Sequence, residues 1–188
     1  MKVAAIVLAA GASRRLDQPK QDILLGSETL LERAVRVATQ ASLDPVYVIV
    51  APNRNFSEVS CATVLTNPDA AEGMASSIRR GVLAATHHGC EGIIILACDQ
   101  PAVTPEHLRR LISEGTEVVA SSYAGRKGIP AYFPASAFAM LLELRGDIGA
   151  RDLIASALSI PLVNGELDID TPDDLARAQT LFPEGSSG

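Results

Sequence analysis

The sequence predicts a three-layer α/β sandwich built on a largely parallel sheet. Apolar runs without period-2 alternation, at Val3 to Ala10, Val46 to Ala51 and Gly92 to Ala97, suit strands covered on both faces. Segments with helical spacing separate these runs, and strands alternating with helices imply parallel βαβ units. The 188 residues are 47% hydrophobic and 20% charged, the size and balance of one globular domain, expected over residues 1–182. The small polar ending, 183–188, is expected to be a flexible tail.

Each element follows from local signals. Val3 to Ala10 reads as a buried strand. Glu28 to Gln40 has helical spacing, with Thr29 and Glu32 placed for a capping box and Leu31, Ala34, Val35 and Ala38 on one stripe. Val46 to Ala51 is a second strand, stopped by Pro52, and Thr63 to Leu65 a short third. Met74 to Thr86 reads as a helix ending near Gly89, and Gly92 to Ala97 as a strong strand. Thr104-Pro105-Glu106 is a helix start, with Thr as N-cap and Pro in the first turn. Glu117 to Ser121 reads as a strand and Gly125 to Phe133 as a hairpin-like excursion. Pro134 to Leu144 and Arg151 to Leu158 read as helical, and Thr171-Pro172-Asp173 opens the last helix.

Bulk properties exclude several function classes. A net charge of −6 argues against a general nucleic-acid binder, which needs a basic face for phosphates. The apolar stretch after Met1-Lys2 is cut short by Gly11 and Arg14, too brief to span a bilayer, so no membrane partner is expected. Cys61, Cys90 and Cys98 show no C-x-x-C pairing and read as reduced thiols of a cytoplasmic protein. His87 and His88 read as helix-end residues and His107 as a surface residue of a first helical turn. Arg79 and Arg80 read as a solvated helix face.

In a parallel sheet the ligand crevice lies beyond the carboxyl ends of the strands. After the first strand comes Leu8-Ala9-Ala10-Gly11-Ala12-Ser13-Arg14-Arg15-Leu16-Asp17-Gln18-Pro19-Lys20. Tiny side chains let the backbone approach a bulky ligand and present successive N–H groups to an anion. Arg14, Arg15 and Lys20 then add positive charge, as a triphosphate requires. The loop is neither a Walker A loop nor the dinucleotide fingerprint. Asp99 ends a central apolar strand at the crevice, where a carboxylate can hold Mg²⁺ against phosphate oxygens. Asp170, just before a Thr-Pro helix start, is a candidate second metal ligand, whereas Asp173 and Asp174 suit cap and dipole chemistry.

These residues carry a resemblance. Leu8 to Lys20 resembles the L-A-A-G-x-S-x-R-[ML]-G-x-x-K signature of the molybdenum-cofactor nucleotidyltransferases. Four further segments resemble the cytidylyltransferase branch: Asn67-Pro68 through Gly73-Met74-Ala75-Ser76-Ser77, Ala97 to Pro101, Gly146 to Arg151, and Asp168 to Leu175. The resemblance implies a Rossmann-like nucleotidyltransferase fold that binds CTP and Mg²⁺ at the first loop. It implies that Leu8 to Ser13 line the nucleotide and that Arg15 and Lys20 contact the triphosphate. Asp99 would be the principal metal ligand and Asp170 the second. Asn67, Gly73 and Ser77 would lie on the nucleotide side, and Gly128, Pro130, Asp147 and Arg151 on the acceptor side.

The implied reaction moves CMP from CTP onto the molybdenum-loaded pterin monophosphate and releases pyrophosphate, with a molybdoenzyme receiving the product. Guanylyl transfer to the same acceptor, transfer to a sugar phosphate, and a non-catalytic nucleotide-binding module are the alternatives. Two positions depart from the pattern. Asp17 stands where the signature has glycine, and Ile129 stands where the cytidylyltransferases commonly have histidine.

Overall fold

The structure is a computed structural model and describes residues 1–11, 18–52, 59–147 and 149–182. Among the described residues nine strands and six α-helices succeed one another: β1 (Val3–Leu8), β2 (Leu24–Leu25), β3 (Glu28–Thr29), α1 (Leu30–Gln40), β4 (Val46–Val50), β5 (Thr63–Thr66), α2 (Met74–His87), β6 (Gly92–Ala97), α3 (Pro105–Ser113), β7 (Val119–Tyr123), β8 (Arg126–Pro134), α4 (Phe138–Leu142), α5 (Arg151–Ala155), β9 (Leu158–Pro161) and α6 (Pro172–Leu181). Seven strands form one sheet in the order β5-β4-β1-β6-β8-β7-β9, and β2 pairs with β3 in a separate ribbon. β8 runs antiparallel to both neighbours, and the other pairs in the large sheet are parallel.

Alternation along the strands builds the three layers. Val3, Ala5 and Val7 face a core shared with Leu31, Val35 and Ala38 of α1 and Leu108 and Leu111 of α3. Ala4 and Ile6 face the opposite core, with Ile78, Val82 and Ala85 of α2, Phe138 and Leu141 of α4, and Ile154 of α5. Gly81 is where α2 presses against β1, because a Cβ there would meet Ile6 side-chain carbons at 2.7–2.9 Å. Strand order reverses between β1 and β6, so the crevice opens beyond their carboxyl ends.

Several local readings are met and others corrected. The Thr29–Glu32 capping box is formed, Thr104 caps α3, and Thr171 with Asp174 forms a capping box on α6. Gly125 to Phe133 does belong to a hairpin, of β7 with β8, but it is not an excursion: nearly all of it lies in β8, an interior strand of the sheet, with Ala131, Tyr132 and Phe133 buried. Turn-like Gly and Pro hide the strand in the sequence, and its first half lines a cavity. The helix expected to Leu158 ends at Ala155, and Leu158 opens β9. Among the described residues no helix is long and apolar enough to cross a membrane.

His107 is also corrected. It is 6% exposed, and its Nε2 lies 2.7 Å from Ser121 Oγ. Ser121 in turn donates to the Pro130 carbonyl at 2.6 Å, so His107 Nε2–H is the donor of a buried relay joining α3, β7 and β8. Burial, with Arg110 nearby, pushes the His107 pKa down to about 4. The unfolded chain therefore takes up this proton as pH falls below about 6.5, while the folded protein resists until about 4. Stability from this residue is complete above pH 6.5 and is lost as pH falls through that window. At about 1.4 kcal/mol per unit, the loss by pH 4.5 is about 2–3 kcal/mol. His107→Gln keeps a donor without the titration. Denaturant unfolding at pH 7 and pH 4.5 should show the variant losing less stability than the wild type, and equal losses would contradict the assignment.

Candidate active site

Three distant segments meet at the crevice. Asp99 lies two residues past the end of β6, Lys20 opens a 3-10 helix at Lys20–Asp22, and Asp170 immediately precedes the Thr171 cap of α6. A small apolar cluster binds the last two segments, with Ile23, Leu25 and Leu30 packed on Leu167, Ile169 and Ala178. The Ile169 N–H donates to the Asp99 carbonyl at 3.0 Å, which sets Asp170 beside Asp99. Arg33 of α1 donates twice to the Pro101 carbonyl, at 3.2 and 3.1 Å, and fixes the turn after Asp99. Asp174 Oδ2 accepts from the Asp170 and Thr171 N–H groups, so its cap role agrees with the sequence reading.

Lys20 Nζ donates to Asp99 Oδ2 at 2.8 Å and also to Asp170 Oδ1. The Lys20 and Asp99 side chains are 19% and 18% exposed, and Asp170 is 48% exposed. Burial alone would lower the Lys20 pKa, but the Asp99 and Asp170 carboxylates outweigh it and raise it above the ordinary lysine value. Among the described residues no group of three or more His, Cys, Asp or Glu is placed to hold a metal by itself. Asp99 and Asp170 offer two hard oxygen donors, which fits a Mg²⁺-type ion that keeps waters and takes the rest of its shell from phosphates.

Beyond Asp99 and Asp170 opens a cavity of about 820 Å³. Its walls include Gln100, Tyr123, Gly125 to Ile129, Met74, Asp147, Arg151 and Asp168. Gly128 permits close packing, because a Cβ there would lie 2.1 Å from the Tyr123 hydroxyl oxygen. The Ile129 carbonyl accepts from Gln100 Nε2 at 3.1 Å and from the Tyr123 hydroxyl at 3.0 Å. Pro130 is buried and takes the Ser121 hydrogen bond, and Arg151 is exposed at the cavity edge.

The other predicted residues divide between the crevice and its supports. Leu8, Ala9, Ala10 and Gly11 lie at the end of β1, with Ala9 buried and Gly11 exposed. Ala12, Ser13, Arg14, Arg15, Asp17 and Ile148 lie outside the described residues. Asn67 is 2% exposed, and its Nδ2 donates to Ser76 Oγ at 2.8 Å and Ser77 Oγ at 3.0 Å. Ser76 and Ser77, open to a helix-surface reading from sequence, are thus buried. Ser76 Oγ passes the chain on to the Gly73 carbonyl at 2.8 Å. Asp147 Oδ1 accepts from the Met74 N–H at 3.3 Å, and the Gly146 carbonyl from the Ala75 N–H at 3.0 Å, so the 146–147 turn caps the start of α2. Arg79, expected in solvent, instead donates to the Leu144 carbonyl and Glu72, while Arg80 is exposed as expected.

Sequence reasoning missed Gln100 and Asp168 as site residues. Both stand inside the quoted motifs, and the i, i+2 spacing of Asp168 and Asp170 in extended chain was the available signal. Burial first, then the charges of Asp99 and Asp170, push the Asp168 pKa up to about 6, against the opposing pull of Arg126 and Gln100.

The model of the MobA-like NTP transferase domain matches residues 5–160. The chain belongs to this family. The purine catabolism protein PucB of Bacillus subtilis is 34% identical over 188 residues, covering 90% of this chain and 92% of that protein. A probable molybdenum cofactor guanylyltransferase of Mycobacterium avium is 36% identical, over 62% of this chain and 59% of its own. The molybdenum cofactor cytidylyltransferase of Escherichia coli is 25% identical over 95% of this chain and 96% of its own. Among solved structures, Rv0371c of Mycobacterium tuberculosis is 31% identical with a TM-score of 0.77, covering 94% of this chain and 97% of that one. The same protein in complex with manganese has a TM-score of 0.71 at 28% identity. The MobA-like chain is therefore a nucleotidyltransferase with a Rossmann-like nucleotidyltransferase fold.

In this MobA-like site one glycine is required by geometry. Gly73 has φ +106°, and a Cβ there would lie 2.3 Å from Asp147 Oδ1 and 2.7 Å from the Gly146 carbonyl carbon. Gly73→Ala should destabilise the protein by about 3 kcal/mol, combining backbone strain with a clash against main chain. Urea unfolding measures this directly, and a loss under about 1 kcal/mol would show that the turn yields easily.

Proposed function

We propose that the chain transfers CMP from CTP to the molybdenum-loaded pterin monophosphate, with Mg²⁺ held by Asp99 and Asp170. One observation carries the reading: Lys20, Asp99 and Asp170 converge where the crevice of β1 meets a cavity large enough for an acceptor. The acceptor's phosphate oxygen attacks the α-phosphorus, a new P–O bond forms, and the bond to the β-phosphate oxygen breaks to release pyrophosphate. An ionised phosphate nucleophile needs no general base. A bound Mg²⁺ would neutralise charge that develops on the phosphates. Lys20, with Arg15 by the resemblance, would hold the leaving pyrophosphate, and the backbone of Leu8 to Ser13 would lie along the nucleotide. Asn67, Ser77 and Gly73 support that side by fixing the start of α2.

The preference for CTP is supported by the matched Asn67–Ser77 and Gly146–Arg151 segments and by the nearly full-length likeness to the cytidylyltransferase. Guanylyl transfer is the second reading, favoured by the higher identity to the guanylyltransferase over a shorter span. Mass spectrometry of products from mixed NTPs and the pterin acceptor separates them. A cytidine adduct is expected, and a guanosine or adenosine adduct would overturn the CTP preference. Asp99→Asn should lower pyrophosphate release about a hundredfold or more while the far-UV spectrum stays native. Turnover within a few-fold of wild type would refute the metal-ligand role.

A further inference from the structure

Lys20 lies between the two carboxylates that the proposed function assigns to the metal. A charge count shows what this placement does. Asp99 and Asp170 bring two negative charges to a site where Asp99 is 18% exposed, and the Lys20 ammonium balances one of them. A divalent ion on the same two carboxylates balances both. Ammonium and divalent ion compete for the same oxygens, because Lys20 Nζ already donates to Asp99 Oδ2 and Asp170 Oδ1, and two cations within a few ångströms repel each other in a partly desolvated site. Lys20 must therefore leave when the metal enters. Its position at the start of a 3-10 helix, on the chain that follows β1, puts the displaced ammonium on the side expected to hold the triphosphate.

We propose that Lys20 is a resident counter-ion that keeps the metal site closed in the nucleotide-free protein and is exchanged for the divalent ion when a triphosphate arrives to receive the ammonium. This rests on the metal-ligand reading of Asp99 and Asp170. The exchange makes nucleotide and metal binding mutually reinforcing: each takes away one partner of an ion pair that opposes the other.

Mn²⁺ serves as the probe, with free Mn²⁺ followed by electron paramagnetic resonance in the absence of nucleotide. Lys20→Met removes the competing charge and keeps much of the aliphatic stem. It should bind Mn²⁺ at least tenfold more tightly than wild type, and equal or weaker binding would overturn the proposal. Asp99→Asn separates the two levels. If it binds Mn²⁺ as tightly as wild type, the metal-ligand reading falls and the exchange falls with it. If Asp99→Asn loses Mn²⁺ while Lys20→Met gains nothing, the ligand reading stands and the exchange alone is wrong. A measurement on the unmodified protein removes any dependence on how the variants fold. The chain has three lysines, Lys2, Lys20 and Lys127, so amine labelling read by mass spectrometry carries its own controls. Saturating Mn²⁺ without nucleotide should raise Lys20 labelling several-fold and leave Lys2 and Lys127 unchanged. Unchanged Lys20 labelling would overturn the proposal.

Discussion

The bridge from Lys20 to Asp99 and Asp170 is the interaction around which the crevice is organised. It joins the chain after β1, the end of β6 and the approach to α6. Charge attraction alone would not position them, since a partly exposed ion pair contributes little and leaves long side chains mobile. The position is set by apolar packing. Ile23, Leu25 and Leu30 interlock with Leu167, Ile169 and Ala178, and the Ile169–Asp99 backbone hydrogen bond fixes the register. The carboxylates are thus held within reach of one cation by groups that carry no charge.

A similar division between support and site runs through α2. The Asn67 amide nitrogen and the Ser76 and Ser77 hydroxyls bond to one another and to the Gly73 carbonyl, and Asn67 Oδ1 accepts from the Asp69 N–H. The start of α2 is thereby tied to β5, and Asp147 ties it to the turn before α5. Two motifs far apart in sequence become one rigid edge of the cavity, where Met74 and Asp147 both sit. A polar residue in such a motif can therefore be needed for shape without touching any ligand.

The parallel half of the fold was legible in the sequence because its signals are local and redundant. β1, β4 and β6 are long apolar runs, and α1, α3 and α6 carry Thr caps. β8 was not legible, because Gly125, Gly128 and Pro130 resemble turn chemistry and only its pairing with β6 and β7 makes it a strand. β9 is a short edge strand with Leu158 and Ser159 exposed, and it offers little periodicity to read. The motifs that bring Lys20, Asp99 and Asp170 together were visible as strand-end and cap signals. The burial of His107 was not, because helical position says where a side chain points and not which strand it will meet. Gln100 and Asp168 were passed over beside more conspicuous neighbours, although both line the cavity.

The two halves of the sheet carry different duties, and the topology keeps them separable. The crevice of β1 and β6 is parallel, and its carboxylates are tied into the main core and the small cluster under α6. The cavity wall comes from β8, the one antiparallel strand of the large sheet, whose Ile129 carbonyl is gripped by Gln100 and Tyr123. The side chains that face the cavity from β8 can change without disturbing that grip, because it acts on main chain. Gln100 is a second link between the halves beside the β6–β8 pairing, since it follows Asp99 directly and holds β8 by its amide. A shift in the wall is therefore felt one residue away from the carboxylate at the crevice, and beyond the β6–β8 ladder the buried Gln100 side chain couples the acceptor side to the charged side.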